Sequence, residues 1–362
     1  MKKSTGKILL KPAVLLPLSL QAVAIITVGA FLVYYTITDY KPVETEALPM
    51  EKTNVTATIP IGKLELYTWN IGHCGLGSKI SITDQKKEEP KLSREYYERC
   101  RDGILYQLTT LNKLDFVLLQ EVDENADRSF LDNQVERFKA TFRDYTAGFA
   151  YNFKVPAVPV PGFSTEGIIK SGLLTLSRFQ AIETKRYSFT AAYGWPQRLF
   201  KPDRGFILSR YSVSNGKQLV LINTQNTDCN INPAANNEEL NQLREVIVKE
   251  YNKGNYVIAG GDWSRNPSPF VPDSIVDGNK VNVIAPEIAK GVFPGGFIWA
   301  SDARYPTQRV ITTAYVKGET LTTITDFFVL SPNVKLLTVN TLQTGFEFSH
   351  HQPVGMIVEL AE

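Results

Sequence analysis

YVIAGGDW, residues 256–263, is an apolar run that ends on a carboxylate, Asp262. Four more apolar runs deliver a polar group. LYTWN (66–70) ends on Asn70, LDFVLLQEVD (114–123) carries Glu121, LTTITDFFVLSPNV (321–334) carries Asp326, and FSHHQPV (348–354) carries His351. Runs of this length read as buried strands. A polar side chain where such a strand emerges is held in place by the sheet behind it. Taken singly, an Asp after a strand is usually a turn or a helix cap. Five such positions, in order from residue 70 to residue 351, describe a site. Three carboxylates, one amide and one imidazole are groups that hold a hard divalent cation and activate water.

Around these runs the sequence alternates strands with a few amphipathic helices. Leu64–Trp69, Phe116–Gln120, Gly172–Leu176, Gly205–Tyr211, Gln218–Asn223, Tyr256–Ala259, Val310–Tyr315, Thr322–Leu330 and Pro353–Leu360 read as strands. The short Ser-Asn-Gly turn between 205–211 and 218–223 predicts antiparallel pairing there. Ser93 is placed to cap a helix that runs to about Leu111, and a second helix is expected over Glu238–Tyr251. Many strands and few helices fit two sheets packed face to face with helices outside, in one α/β domain over residues 61–362.

Composition narrows the function. Of 39 basic and 37 acidic residues, five Lys and three acids fall within residues 1–50, so the remainder carries 34 of each. A neutral domain lacks the general basic footprint that holds long nucleic acid. Cys74, Cys100 and Cys229 make neither a disulfide framework nor a zinc spacing, and they read as packing residues or free thiols. A single disulfide stays open if the domain lies outside the cytoplasm.

Residues 12–38 contain no charged side chain, and Lys2, Lys3, Lys7 and Lys11 precede them. This predicts a basic cytoplasmic N-terminus over 1–11 and a transmembrane anchor over 12–36, placed in the inner membrane with the domain outside the cytoplasm. A cleaved signal peptide is the alternative, but its apolar core is shorter, ~7–15 residues. Residues 37–60 are polar, aperiodic and contain three prolines, and they predict an extended tether. Asn54-Val55-Thr56 is a glycosylation sequon.

TWNIG, LLQEVD, SGLLTLSR, LVLINT, GGDW, ITDFFVLSPNV and SHHQPV, in this order, resemble the blocks of the endonuclease/exonuclease/phosphatase (DNase I-like) superfamily. YNFKVPAVPVPG and EYNKGNYVIAGGDW add similarity to its membrane-anchored bacterial members. The resemblance implies a four-layer α/β sandwich of two mostly antiparallel sheets flanked by helices, with a metal-dependent phosphoester site at one edge. Carried over by position, it implies that Glu121 ligates Mg²⁺ (or Mn²⁺), with Asn70 supporting the metal or phosphate. Asp262 would orient or activate water, Asp326 would pair with His351, and His351 would serve as base or phosphate stabiliser. Asn223 would contact phosphate.

Three positions depart from the family pattern. Gln225 stands where the family has a phosphate-binding His, Ser264 where it has Asn, and His350 where it has a metal-side Asp. Gln225 can still donate to phosphate but cannot carry a proton. Ser264 is shorter than Asn, and Asn266 lies two residues on. His350 could ligate a softer metal as neutral imidazole. Losing one such group commonly lowers the rate ~10²–10³-fold. His73 follows the Asn70 strand and could reach the cleft, or be an ordinary loop histidine. Arg128 and Arg178 suit phosphate contacts or surface ion pairs alike.

The expected function is a membrane-tethered, divalent-metal-dependent phosphodiesterase or phosphatase. Its substrate would be a phospholipid head group, a sugar phosphate or nucleic acid, and no protein partner is expected. The alternative is an inactive member of the family that binds a phospho-ligand or a protein. The trio Gln225, Ser264 and His350 discriminates the two.

Overall fold

Alternation along the strands sets the layers. Leu118 packs with Leu66, Leu221, Ile258 and Phe328, whereas its neighbours Val117 and Leu119 pack with Tyr97, Ile104 and Leu108. Leu219 and Leu221 join the first group, while Val220 and Ile222 join Leu240, Leu243 and Ile247. Strands buried on both faces need apolar residues at every position, which is why these runs are continuous. The structure, a computed structural model, describes residues 12–49, 55–81, 92–111, 114–160, 164–165, 167–191, 193–270 and 285–361. The basic segment 1–11 and the sequon residue Asn54 lie outside the described residues.

The first sheet runs β1 (Thr45–Ala47), β9 (Glu183–Ser188), β10 (Gly205–Val213), β11 (Gln218–Gln225), β12 (Tyr256–Asp262), β16 (Asp326–Leu330) and β13 (Ile298–Ala300), with β2 (Thr58–Ile59) alongside β10. The second runs β17 (Val334–Thr341), β18 (Val354–Leu360), β3 (Lys63–Asn70), β4 (Phe116–Asp123), β8 (Ile169–Ser177) and β5 (Thr146–Val155). Two small hairpins pair β6 (Pro159–Val160) with β7 (Ser164–Thr165) and β14 (Gln308–Arg309) with β15 (Thr322–Thr323). Helices α2 (Arg94–Thr110) and α3 (Gln134–Thr141) cover the outer face of the second sheet, and α4 (Pro233–Asn252) that of the first. This is the four-layer sandwich. As expected, β10 and β11 pair antiparallel across the Ser-Asn-Gly turn.

Two βαβ units build its centre. In β3–α2–β4 and in β11–α4–β12 the strands are parallel. Their carboxyl ends meet at one edge of the sandwich, so Asn70, Glu121, Gln225 and Asp262 gather there. Helix starts follow local chemistry. Ser93 Oγ accepts from Tyr96 N at 3.1 Å, and Asn232 Oδ1 accepts from Ala235 N at 3.1 Å with Pro233 opening α4. That cap starts the second helix earlier than the apolar periodicity indicates.

Several expectations are corrected. The tether expected over 37–60 is largely part of the sandwich: β1 pairs with β9, β2 pairs with β10, and Leu48 and Ile59 are buried. Val310–Tyr315 is a loop instead of a strand. Thr322–Leu330 is broken, because Thr307 Oγ1 accepts from the backbone N–H groups of both Thr325 and Asp326, at 2.9 and 3.0 Å. Strands β5, β9 and β17 lie where no strand was expected. Cys74, Cys100 and Cys229 are free and buried.

Helix α1 (Pro12–Thr38) is long and apolar enough to cross a bilayer. Its last turns rest on the sandwich. The Phe200 ring lies 4.8 Å from Tyr35 and 5.9 Å from Phe31, and Arg198 pairs with Asp39 at 2.7 Å.

One glycine fixes the approach to the His350–His351 segment. A Cβ on Gly103 of α2 would collide with the Phe348 ring, two residues before His350. Gly103→Ala is expected to lower stability by about 1–3 kcal/mol through overpacking, despite alanine's better helix propensity. Urea unfolding measures this, and an unchanged or raised midpoint would refute it.

Candidate active site

A bulge aims Glu121. Leu119 pairs with Leu174 and Val122 with Gly172, so Gln120 and Glu121 together oppose one residue of β8. Glu121 takes φ 55°, a left-handed conformation that a non-glycine residue holds only when its surroundings impose it. Its Oε1 accepts from Asn70 Nδ2 at 3.1 Å and from Gln225 Nε2 at 2.8 Å. Its Oε2 lies 3.7 Å from His73 Nδ1, too long for an ordinary hydrogen bond. Burial alone would raise the Glu121 carboxyl; the His73 and His350 imidazoles and Arg128 outweigh it and hold it well below the usual carboxylate range.

Asn70 joins the two sheets. Its amide nitrogen also donates to Asp262 Oδ2 at 3.1 Å, and its Oδ1 accepts from Gly72 N at 3.0 Å. Presented this way, Asn70 positions two carboxylates through its amide nitrogen and keeps one acceptor lone pair on Oδ1 beyond the Gly72 bond. Asp262 Oδ1 accepts from Ser264 N at 2.9 Å and lies 3.3 Å from Ser264 Oγ. Ser264 thus orients Asp262, its own backbone at φ 51°.

Asp326 Oδ2 and His351 Nδ1 are 2.8 Å apart, and both residues are buried. Thr325 Oγ1 also donates to Asp326 Oδ2, at 3.0 Å. The His351 Nε2 faces Asp262 Oδ2 at 3.9 Å. Ligand atoms of Asp262, Asp326 and His351 all lie within 4.8 Å of one another, a buried group of metal-binding character. Burial would lower the His351 imidazole, but Asp326 and then Asp262 overcome it and raise its pKa to about 9. Burial lifts Asp262 to about 6, with His351 pulling it down and Asp326 pushing it up. Near neutral pH the arrangement is an imidazolium between two carboxylates.

The His350 ring stands edge-on to His351 at 4.2 Å. Burial, reinforced by the His351 charge, pushes its pKa well down, so it is neutral. Its Nδ1, like that of His73, is buried without a hydrogen-bond partner. Ser349 Oγ donates to Asn70 O at 2.8 Å, and Trp69 Nε1 donates to His351 O at 2.9 Å. These bonds tie the histidine segment to the end of β3. Ser264, His350, Asp228, Asn230, Gln308 and Arg309 line an adjoining cleft of about 300 Å³.

The structure therefore gathers Asn70, Glu121, Gln225, Asp262, Ser264, Asp326, His350 and His351. Asn223 is different. It is buried, accepting from Gln120 Nε2 at 2.9 Å and donating to Leu119 O and Leu174 O at 3.2 and 3.1 Å. It clasps the two sheets beneath the site and has no free group for phosphate. Arg178 pairs with Asp115 at the opposite edge, and Arg128 holds Asp123 with two 2.9 Å bonds. Asn266 Oδ1 accepts from Thr323 Oγ1 and does not replace Ser264 at Asp262. Sequence reasoning missed Gln120, Thr307 and Arg309. Arg309 is buried and donates to Gly77 O and Thr313 O at 2.7 and 3.0 Å, and burial draws its pKa down to about 10. No spacing in PTQRV announces these bonds, which close only in the folded chain.

Solved structures share the fold. ANGEL2, described as a 2′,3′-cyclic phosphatase, is 13% identical, with 89% of this chain and 100% of that chain covered at a TM-score of 0.51. Truncated TDP2 of Caenorhabditis elegans is 14% identical, with 82% and 98% covered at 0.50. No curated protein matches the chain. The model of the Endonuclease/Exonuclease/phosphatase family matches residues 67–340, a span that holds Asn70, Glu121, Asp262 and Asp326. The chain belongs to the endonuclease/exonuclease/phosphatase family.

Proposed function

We propose that this protein is a divalent-metal-dependent phosphoester hydrolase, of the phosphodiesterase or phosphatase kind, tethered to a membrane by α1 with the sandwich domain that follows it outside the cytoplasm. The carrying observation is the buried run Asp326–His351–Asp262, 2.8 Å on one side and 3.9 Å on the other, beside Glu121. Burial raises Asp262 to about 6 and the flanking carboxylates raise His351 to about 9, so near neutral pH an ionised carboxylate stands beside a protonated imidazole, the pattern of a paired acid and base. Asp262, ionised above about pH 6 and oriented by Asn70 and Ser264, takes the proton of the attacking water. His351, fixed by Asp326, presents its Nε2 proton to the charge that grows on phosphate.

The buried group Asp262, Asp326 and His351 brings its ligand atoms within 4.8 Å of one another, and Glu121, His73 and His350 add donors around it. Glu121 Oε2 and the partnerless nitrogens of His73 and His350 are one carboxylate and two imidazoles. These donors suit Mn²⁺ or a softer ion better than Mg²⁺, which prefers oxygen. Such a cation would neutralise charge on a non-bridging phosphoryl oxygen. The lysines at residues 1–11 favour a cytoplasmic N-terminus, and the neutral domain argues against long nucleic acid as substrate.

A panel of phosphodiesters and phosphomonoesters, tested with the full chain in detergent under Mn²⁺, Mg²⁺ and chelator, decides the reading. Hydrolysis with Mn²⁺ at least as fast as with Mg²⁺, lost in chelator and in Asp262→Asn, is the expected result. One observation favours the silent binding module: the Gln225 amide already occupies Glu121 Oε1. Absence of all hydrolysis by a folded protein would favour that second reading.

A further inference from the structure

Strand pairing puts the membrane helix and the candidate site at the same edge of the sandwich. The site lies at the Gln225 end of β11 and the Asp262 end of β12. Thr224 pairs with Phe206, so β10 begins at that edge, and Gly205 pairs with Ser188, so β9 ends there. Thr45 pairs with Tyr187, so the chain coming from α1 joins the sheet at that edge too. In the second sheet the same edge holds Tyr151 of β5, whose ring meets Tyr40 at 6.0 Å.

The connection is short and fixed. Between the end of α1 and β1, Asp39 pairs with Arg198, Tyr40 packs on Tyr151, and Val43 O accepts from Ser188 Oγ at 2.8 Å. Phe31 and Tyr35 lie on Phe200, in the segment between β9 and β10. Residues 12–30, at ~1.5 Å each, still extend ~28 Å, close to the ~30 Å of a hydrocarbon core. The contact with Phe200 therefore falls at the bilayer surface. From β9 to β12 is three strand spacings, roughly 15 Å.

The edge is dressed for that surface. Val43, Leu131, Ile168, Trp195 and Ile231 are exposed apolar side chains in connections that enter or leave strands at the site edge. Trp195 Nε1 donates to Thr36 Oγ1 of α1 at 3.2 Å. Lys154 lies over the Tyr40 and Tyr151 rings, at 5.5 and 4.7 Å. Tryptophan, tyrosine and lysine of this kind belong at the level of lipid head groups. Ile182 and Ile298 are exposed large apolar residues of the opposite edge, and Tyr106 is exposed in the later turns of α2.

We infer that α1 holds the sandwich with its site edge against the bilayer, so that the cleft acts on a phosphoester carried by a lipid of the same leaflet. This rests on the hydrolase reading for its chemistry and on the docked helix for its geometry. A soluble phosphoester would have to enter a cleft that the membrane partly covers, whereas a lipid head group arrives by lateral diffusion at high effective concentration.

The test uses the full chain in nanodiscs of phosphatidylcholine and phosphatidylglycerol. An environment-sensitive fluorophore is placed at Leu131→Cys, Ile231→Cys or Lys335→Cys, the last at the opposite edge, and head-group spin-labelled lipid serves as quencher. The native cysteines are buried. Labels at 131 and 231 are expected to be quenched several-fold more than the label at 335. Equal quenching at all three, or stronger quenching at 335, overturns the orientation. In a second arm, hydrolysis of phosphatidylglycerol is compared with that of soluble glycerophosphoglycerol, and the lipid is expected to be favoured ~10-fold or more. A soluble diester hydrolysed as fast overturns the substrate class. Hydrolysis of neither overturns the substrate class together with the hydrolase reading, while the quenching still decides the orientation.

Discussion

His351→Asn is expected to lower kcat/KM for the proposed phosphoester hydrolysis by ~10²–10⁴-fold and to remove the alkaline limb of its pH profile. The sign follows from the two shifts. Asp262 must be ionised to take a proton, so the rate rises as pH passes about 6. His351 must be protonated to face the phosphate charge, so the rate falls as pH passes about 9. The wild type is therefore bell-shaped, the limbs belonging to the coupled pair. Asp326→Asn keeps the ring but removes the carboxylate that raises its pKa, so the alkaline limb moves to lower pH. A pH series of kcat/KM for the three proteins is the measurement. An alkaline limb that survives in His351→Asn would assign it to another group and end this account of the site.

His350→Asp is the second large effect. His350 is buried, neutral and within the field of Glu121. A carboxylate there sets two negative charges side by side out of water. In chelator the variant is expected to lose on the order of 3 kcal/mol of stability, as for an uncompensated buried charge. Mg²⁺ should restore it, because two carboxylates make the oxygen site that this ion takes. Adding Gln225→His and Ser264→Asn should raise Mg²⁺-dependent hydrolysis ~10²-fold or more over wild type, beyond any single change. Thermal unfolding with and without Mg²⁺ reads the first claim and steady-state rates read the second. A triple variant that is stable in chelator and slower than wild type would mean that His350 serves a metal or substrate of its own.

The strand-end residues were legible because the physics that buries a strand on both faces leaves a run with no polar position until the strand emerges. Asp262 and Glu121 interrupt such runs, and the structure brings them to one edge. Asn223 interrupts one as well, yet it clasps Gln120 of the facing sheet. Only closure of the sandwich separates those two fates. The loop 310–315 looks like a strand because ITTAY is β-prone, but the Arg309 guanidinium takes carbonyls of that loop and of 76–80 and draws them into an irregular path. Strands β1 and β2 are too short to show a period, and their partners lie far along the chain. Ser93 and Asn232 were different cases of one rule. Ser93 precedes its helix in plain view, whereas Asn232 hides in a polar run.

The Asn70 amide sits on one sheet and bonds to Glu121 of its own sheet and Asp262 of the other. Gln225 reaches back to Glu121 the opposite way. The site is in this sense a caliper across the sandwich, with its jaws set by the side chains between the sheets. Phe328 lies against Gly260 so closely that an added Cβ would meet its ring at 2.5 Å, and Leu118 closes the same gap from the facing sheet at 3.0 Å. Substitutions in that layer, far from any solvent, should open or shut the jaws and change turnover before they change the fold.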